Sequence, residues 1–167
     1  MLLVFFFGKS QETTETTFPQ DFFGIYTGTL NIYAAKATQE IPMEFHLLPT
    51  EINEQYIYKL VYGEGEQRQE RDYLLQPKDA DLGIYEVDEQ NGIILENRVV
   101  GNKMYTLFEV QESLLTTFIT FEKDHLLFEI VYSDTSKKET SGGQEEDVPV
   151  VTSYPISVVQ KAYLIKQ

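Results

Sequence analysis

Apolar residues in this chain recur at every second position, in runs that stop at turn residues about every ten residues. No long stretch carries the i, i+3, i+4, i+7 spacing of an amphipathic helix. Such a pattern confines the fold to sheets, because successive side chains on a strand point to opposite faces. In the first run, residues 22–33, Phe22, Gly24, Tyr26, Gly28, Leu30 and Ile32 share one face, with Thr27, Thr29 and Asn31 on the other. In the second, Ile41, Met43, Phe45 and Leu47 alternate with Glu44 and His46 and end at Pro49.

The pattern continues to the C-terminus. A third strand over residues 55–62 is apolar on both faces, with Tyr56, Tyr58, Leu60 and Tyr62 against Ile57 and Val61. Gly63 and Gly65 turn the chain into a fourth strand over 68–75, and residues 77–81 read as a loop. A fifth strand over 83–88 meets Asn91-Gly92, a two-residue hairpin signal, and returns over 93–99. Gly101-Asn102 leads into 104–110; residues 114–122 and 126–132 form a hairpin around Lys123-Asp124; the last strand covers 156–165. About ten strands with short connections predict an all-β antiparallel meander, and closure into a barrel leaves no strand edge exposed. Residues 133–148 are the exception, a Ser-, Gly- and acid-rich stretch expected to form a mobile, solvated excursion.

A length of 167 residues predicts one domain, here residues 21–167. Its 11 Phe and 11 Tyr, with no Trp, suit half-buried pleated surfaces and cavity rims. The net charge of −14 argues against nucleic acid, whose phosphates need Lys and Arg, and against anionic membranes. Without cysteine the chain has no disulfide, thiolate metal site or thiol nucleophile. Residues 1–7 are uniformly apolar and are followed by small residues at Gly8 and Ser10. This predicts that residues 1–10 are the remnant of a secretory signal, with residues 11–20 a flexible lead-in and an exported, periplasmic or secreted location. A bilayer span needs ~20 apolar residues, so this run predicts no membrane span.

The segment Phe23-Gly24-Ile25-Tyr26-Thr27-Gly28 resembles the Gly-x-Trp signature that begins the lipocalins and other calycin barrels, with Tyr26 where those families carry Trp. Residues 68–73, Arg-Gln-Glu-Arg-Asp-Tyr, are similar to the Arg-containing fourth-strand region of the phycobiliprotein-lyase branch. The resemblance implies a lipocalin-like barrel binding a small hydrophobic or chromophore ligand inside. The chain departs from the family in lacking the Trp, a disulfide and a clear lid helix.

Arg71 shares a strand face with Tyr73 and Leu75. Facing inward, its guanidinium would need an anion, and a ligand carboxylate suits its planar fork. Facing outward, or paired with Glu70 or Asp72, it would serve structure alone. Tyr56, Tyr58 and Tyr73 would assist such a ligand. Asn97 interrupts an apolar face between Leu95 and Val99 and either lines a cavity or makes a structural hydrogen bond. Candidate ligand-binding residues are therefore Arg71, Tyr73, Tyr56, Tyr58, Tyr26 and Asn97. His46 and His125 have no histidine partner at metal-ligand spacing, no Gly-x-Ser-x-Gly elbow occurs, and no metal, cofactor or catalytic residue is assigned. Three functions follow in order: a non-catalytic binder of a small apolar or amphipathic molecule, a cell-envelope interaction or structural module with a filled interior, and an enzyme. A binder directs its tyrosines into a cavity, whereas an interaction module fills its interior and displays aromatics outside.

Overall fold

A strand with one apolar and one polar face is satisfied when both edges are hydrogen-bonded and the apolar faces meet across a shared interior. The computed structural model, which describes residues 17–167, meets both conditions with ten strands in one closed antiparallel barrel. These are β1 (Gly24–Ala34), β2 (Ala37–Pro49), β3 (Tyr56–Tyr62), β4 (Gln69–Asp79), β5 (Ile84–Asp88), β6 (Ile94–Val100), β7 (Lys103–Val110), β8 (Ser113–Phe121), β9 (His125–Asp134) and, last in the chain, β12 (Ile156–Lys166). Each of β1–β9 pairs with its neighbour in sequence, and β12 pairs with both β9 and β1 to close the ring. The closing seam is tight: a Cβ on Gly28 would lie 2.5 Å from the Tyr163 carbonyl oxygen, so only glycine fits there.

Several local expectations are corrected. Phe22 lies in a one-turn 3-10 helix, Gln20–Phe22, and not in the first strand. Within the expected lead-in, residues 17–20 are held against the barrel: the Thr17 amide donates to Asp21 Oδ2 at 2.7 Å, and Phe18 packs on the core. β4 runs through Pro77 to Asp79 where a loop is expected; a register shift between Pro77 and Asp79 accommodates a residue that has no N–H to donate. Asn91-Gly92 sits in a longer turn than two residues, closed by the Glu89 amide donating to the Ile93 carbonyl at 3.0 Å. The 133–148 excursion begins with the end of β9 and holds β10 (Glu139–Ser141), which pairs with β11 (Val151–Ser153) in an exposed hairpin. The expected signal remnant at residues 1–10 and lead-in residues 11–16 lie outside the described residues.

One end of the barrel is filled and plugged. Tyr26, Phe45, Leu47, Leu75, Phe121 and Leu126 are fully buried there. Phe22 closes the end beneath them, its ring 5.4 Å from Phe121, while Phe18 meets Tyr85 edge-on at 5.0 Å. The Tyr26 hydroxyl donates to the Phe22 carbonyl at 2.6 Å and ties the plug to β1. Burial raises the Tyr26 pKa to about 12, so the phenol stays neutral and keeps its proton to donate.

The outer wall of β2–β4 holds a second buried element. Val61 points outward, opposite Glu44 on β2 and Glu70 on β4, yet it is fully buried. Arg68 explains this, because it pairs with Glu44 and with Glu70, each at 2.8 Å, and so bridges the strands on either side of β3. Its stem and the two carboxylates keep water from the valine.

Candidate functional site

The end of the barrel opposite the plug is where the β1–β2, β3–β4, β5–β6 and β7–β8 turns gather, together with the β9–β12 connection that carries the β10–β11 hairpin, and it opens into the interior. Two recesses lie there and meet at Ile130. The inner one, about 140 Å³, lies within the barrel between Tyr58, Leu60 and Tyr73 on one side and Asn97, Thr106 and Thr117 on the other. The outer one, about 770 Å³, forms the mouth and is lined by Leu30, Ile32, Ile41, Tyr62, Gln69 and Gln160 among others. Small-molecule pockets run roughly 300–1,000 Å³, so the inner recess alone is below that range and the mouth falls within it.

Both walls of the inner recess follow from strand register. Tyr58 lies opposite Tyr73, and their rings stack at 6.5 Å with 20° between planes. Across the barrel, Asn97 lies opposite Thr106, which lies opposite Thr117, so three polar side chains form one transverse row over β6, β7 and β8. Asn97 is 2% exposed; its Nδ2 donates to the Leu95 carbonyl at 2.7 Å, and its Oδ1 accepts from the Thr106 hydroxyl. These two bonds fix the amide orientation, because the reverse would set two oxygens against each other at Leu95.

The phenols of the open half are held neutral. Burial raises the pKa of Tyr58 and that of Tyr62, where Arg71 opposes the rise. Tyr73 is raised by burial and by the carboxylate of Glu89, the next inward residue past the end of β5. Neutral phenols at these positions donate or accept hydrogen bonds at physiological pH.

The six sequence candidates divide into three groups. Tyr58, Tyr73 and Asn97 line the inner recess together. Arg71 lies opposite Leu60, a residue of the inner face, but near the rim, where its side chain is solvent-exposed and lines neither recess. Its neighbours Glu70 and Asp72 face outward and both pair with Lys59, and among the described residues Arg71 itself forms no ion pair. Neither arrangement weighed for Arg71 is the one present: its guanidinium is not enclosed in the interior and is not paired with Glu70 or Asp72, and its rim position keeps it hydrated without an internal acid. Tyr26 and Tyr56 belong to the plugged end, away from either recess. The Tyr56 hydroxyl accepts from Gln20 Nε2 at 3.1 Å and its ring packs on Phe23, just as Tyr26 bonds to Phe22.

Sequence reasoning did not single out Tyr62, Glu89, Thr106, Thr117 or Gln160. Thr106 and Thr117 carry the same signal that exposed Asn97, a polar residue on an apolar face: Thr106 stands between Met104 and Phe108, and Thr117 precedes Ile119 and Phe121 by twos. Away from the open end, His46 Nε2 sits 2.8 Å from Glu44, and His125 Nδ1 sits 2.7 Å from Asp124 while its ring stacks on Tyr163. No described helix is long and apolar enough to cross a membrane. No family model, no curated protein and no solved structure matches this chain.

Proposed function

We propose that this protein is a non-catalytic binder of a small amphipathic molecule, taken up through the open end of a calycin-like barrel. The observation that carries the reading is the asymmetry of the interior, filled and plugged at one end and open at the other over two adjoining recesses. A purely structural barrel gains nothing from leaving apolar Ile32, Ile41 and Ile130 partly exposed around a mouth. Arg71 at the rim supplies the cation for a ligand carboxylate, which its fork binds bidentately in water-accessible space. The apolar run at residues 1–7 supports export as part of the same proposal.

Titration with a dansylated eleven-carbon carboxylate tests it. One-to-one saturable fluorescence enhancement is expected, with about tenfold weaker binding in Arg71→Ala, the low end for a charged hydrogen bond at an exposed rim. Absence of saturable binding ends the reading; unchanged affinity in Arg71→Ala removes Arg71 from it.

A second reading has its own support. The outer wall of β7, β8, β9 and β12 exposes Tyr105 and Leu107 on β7 and Leu127, Tyr163 and Ile165 on β9 and β12, apolar side chains set around the Lys161–Glu129 ion pair, a mixture suited to a protein partner. Sedimentation of wild type beside a Leu107→Glu/Tyr163→Glu variant examines self-association through that wall. Concentration-dependent dimers abolished by the charges support an interaction module.

A further inference from the structure

The two recesses differ in size and chemistry, which restricts what a ligand can place in each. A cavity of about 150 Å³ accommodates a single benzene-sized ring, and the inner recess has about 140 Å³. A long alkyl chain does not fit within it. Its walls are not uniform either: Tyr58, Leu60 and Tyr73 on β3 and β4 form an apolar, largely aromatic side, and Asn97, Thr106 and Thr117 form the polar row on β6–β8, with Phe128 of β9 beside its Thr117 end.

The row has hydrogen-bonding capacity to spare. A primary amide offers two N–H donors and two carbonyl lone pairs. Asn97 commits one N–H to the Leu95 carbonyl and one lone pair to Thr106. One N–H and one lone pair are left. Thr106 spends its only proton on Asn97 and keeps acceptor capacity, and Thr117 adds a further hydroxyl at the same level. Such a wall receives a group that both donates and accepts, as a phenolic hydroxyl does.

Charge decides what remains outside. The half-buried Glu89 carboxylate lines the inner recess beside Tyr73 and raises the Tyr73 pKa. An anionic ligand group is repelled from that depth and drawn to Arg71 at the rim. The inner recess therefore selects a neutral end and the mouth a negative one.

We propose that the inner recess is a subsite for one neutral, hydrogen-bonding aromatic ring, of the phenol class, whose hydroxyl meets the Asn97–Thr106–Thr117 row while the rest of the ligand occupies the mouth. This rests on the reading that the open end takes up an amphipathic molecule. It narrows the ligand from amphiphiles in general to those that end in a small phenol-like ring.

Phenol and toluene, which match in size and differ in the hydroxyl, are the probes. Titrations of the full chain are followed through methyl resonances in ¹H–¹³C NMR spectra. Phenol is expected to shift the Thr106 and Thr117 methyls and to bind about fivefold tighter than toluene, the effect of one net neutral hydrogen bond. Asn97→Leu combined with Thr106→Val replaces both partners of a buried bond by apolar groups of similar shape, a change that is nearly neutral for stability. In that variant the preference for phenol is expected to disappear while toluene still binds. Should the variant not fold, the wild-type methyl map and the phenol-to-toluene ratio decide alone. Dansyl carboxylate binding without phenol shifts at Thr106 and Thr117 overturns the ring subsite and leaves the broader reading standing. Equal affinity for phenol and toluene in the wild type also overturns it. If no probe binds, both fall.

Discussion

Phe22 is the residue on which closure of the filled end depends, and its removal is measurable. It is 3% exposed and sits between Phe18, at 6.3 Å, and Phe121, at 5.4 Å. Phe22→Ala deletes the ring and leaves its space under a packed aromatic layer. Substitutions of this kind in cores cost about 3–5 kcal/mol, with the lower value expected at a barrel end where water can enter. For a domain of this size each kcal/mol lowers Tm by roughly 2–4 °C, so a fall of about 6–12 °C is expected. Tyr26→Phe removes only the 2.6 Å hydrogen bond to the Phe22 carbonyl and should cost about 1 kcal/mol, or about 2–4 °C. Urea unfolding followed by near-ultraviolet circular dichroism gives both values. The midpoint should fall with the slope unchanged, since the same surface is exposed on unfolding. Affinity for the dansylated carboxylate should not change, because the plug and the mouth lie at opposite ends. A Phe22→Ala cost below about 1 kcal/mol would refute the reasoning, because a fully packed ring cannot be lost so cheaply.

Val61→Ala should cost about 1.6 kcal/mol, the value for two buried methylene equivalents, although Val61 points outward. In an Arg68→Ala background the cost should be much smaller, and equal costs in a double-mutant cycle would show that Arg68 does not cover it. Acid stability follows from Glu70, whose pKa is lowered to about 2 by hydrogen bonds from Lys59 and then Arg68. A lowered carboxylate adds stability that is present above the unfolded pKa of about 4.3 and is lost as pH falls toward the folded value. Stability should therefore decline between about pH 5 and pH 2, and less steeply in Glu70→Gln; identical pH profiles would dismiss the assignment. Gly28→Ala should cost about 1–3 kcal/mol by forcing the β1–β12 seam apart against the Tyr163 carbonyl, and a neutral result in urea would show that the seam yields freely.

The barrel was legible because its causes are local. Alternation in β2, with Met43, Phe45 and Leu47 inward and Glu44 and His46 outward, depends only on the pleat of one strand. Glycine and asparagine turns act over a few residues, and a meander of about ten such strands has closure as its simplest solution. Pro77 misled for the same local reason: as a residue without an N–H it reads as a loop, while a register shift with β5 lets β4 continue past it.

Depth along the barrel is not local. Tyr26, Tyr56, Tyr58, Tyr73 and Arg71 all fall on inward-facing positions, and alternation alone treats them alike. What separates them is their level along the barrel, set by cross-strand register such as Leu60 opposite Arg71 and by the plug from residues 18–22. Register put Arg71 at the rim in water, Tyr26 and Tyr56 against the plug, and Tyr58 and Tyr73 at the inner recess. It also aligned Asn97, Thr106 and Thr117, residues 97, 106 and 117, into one polar row. The sequence by itself determined which residues face the interior, because side-chain direction alternates along each strand. Only the tertiary structure decided which of those interior positions is core, cavity or rim, because that depends on pairing between strands far apart in the chain.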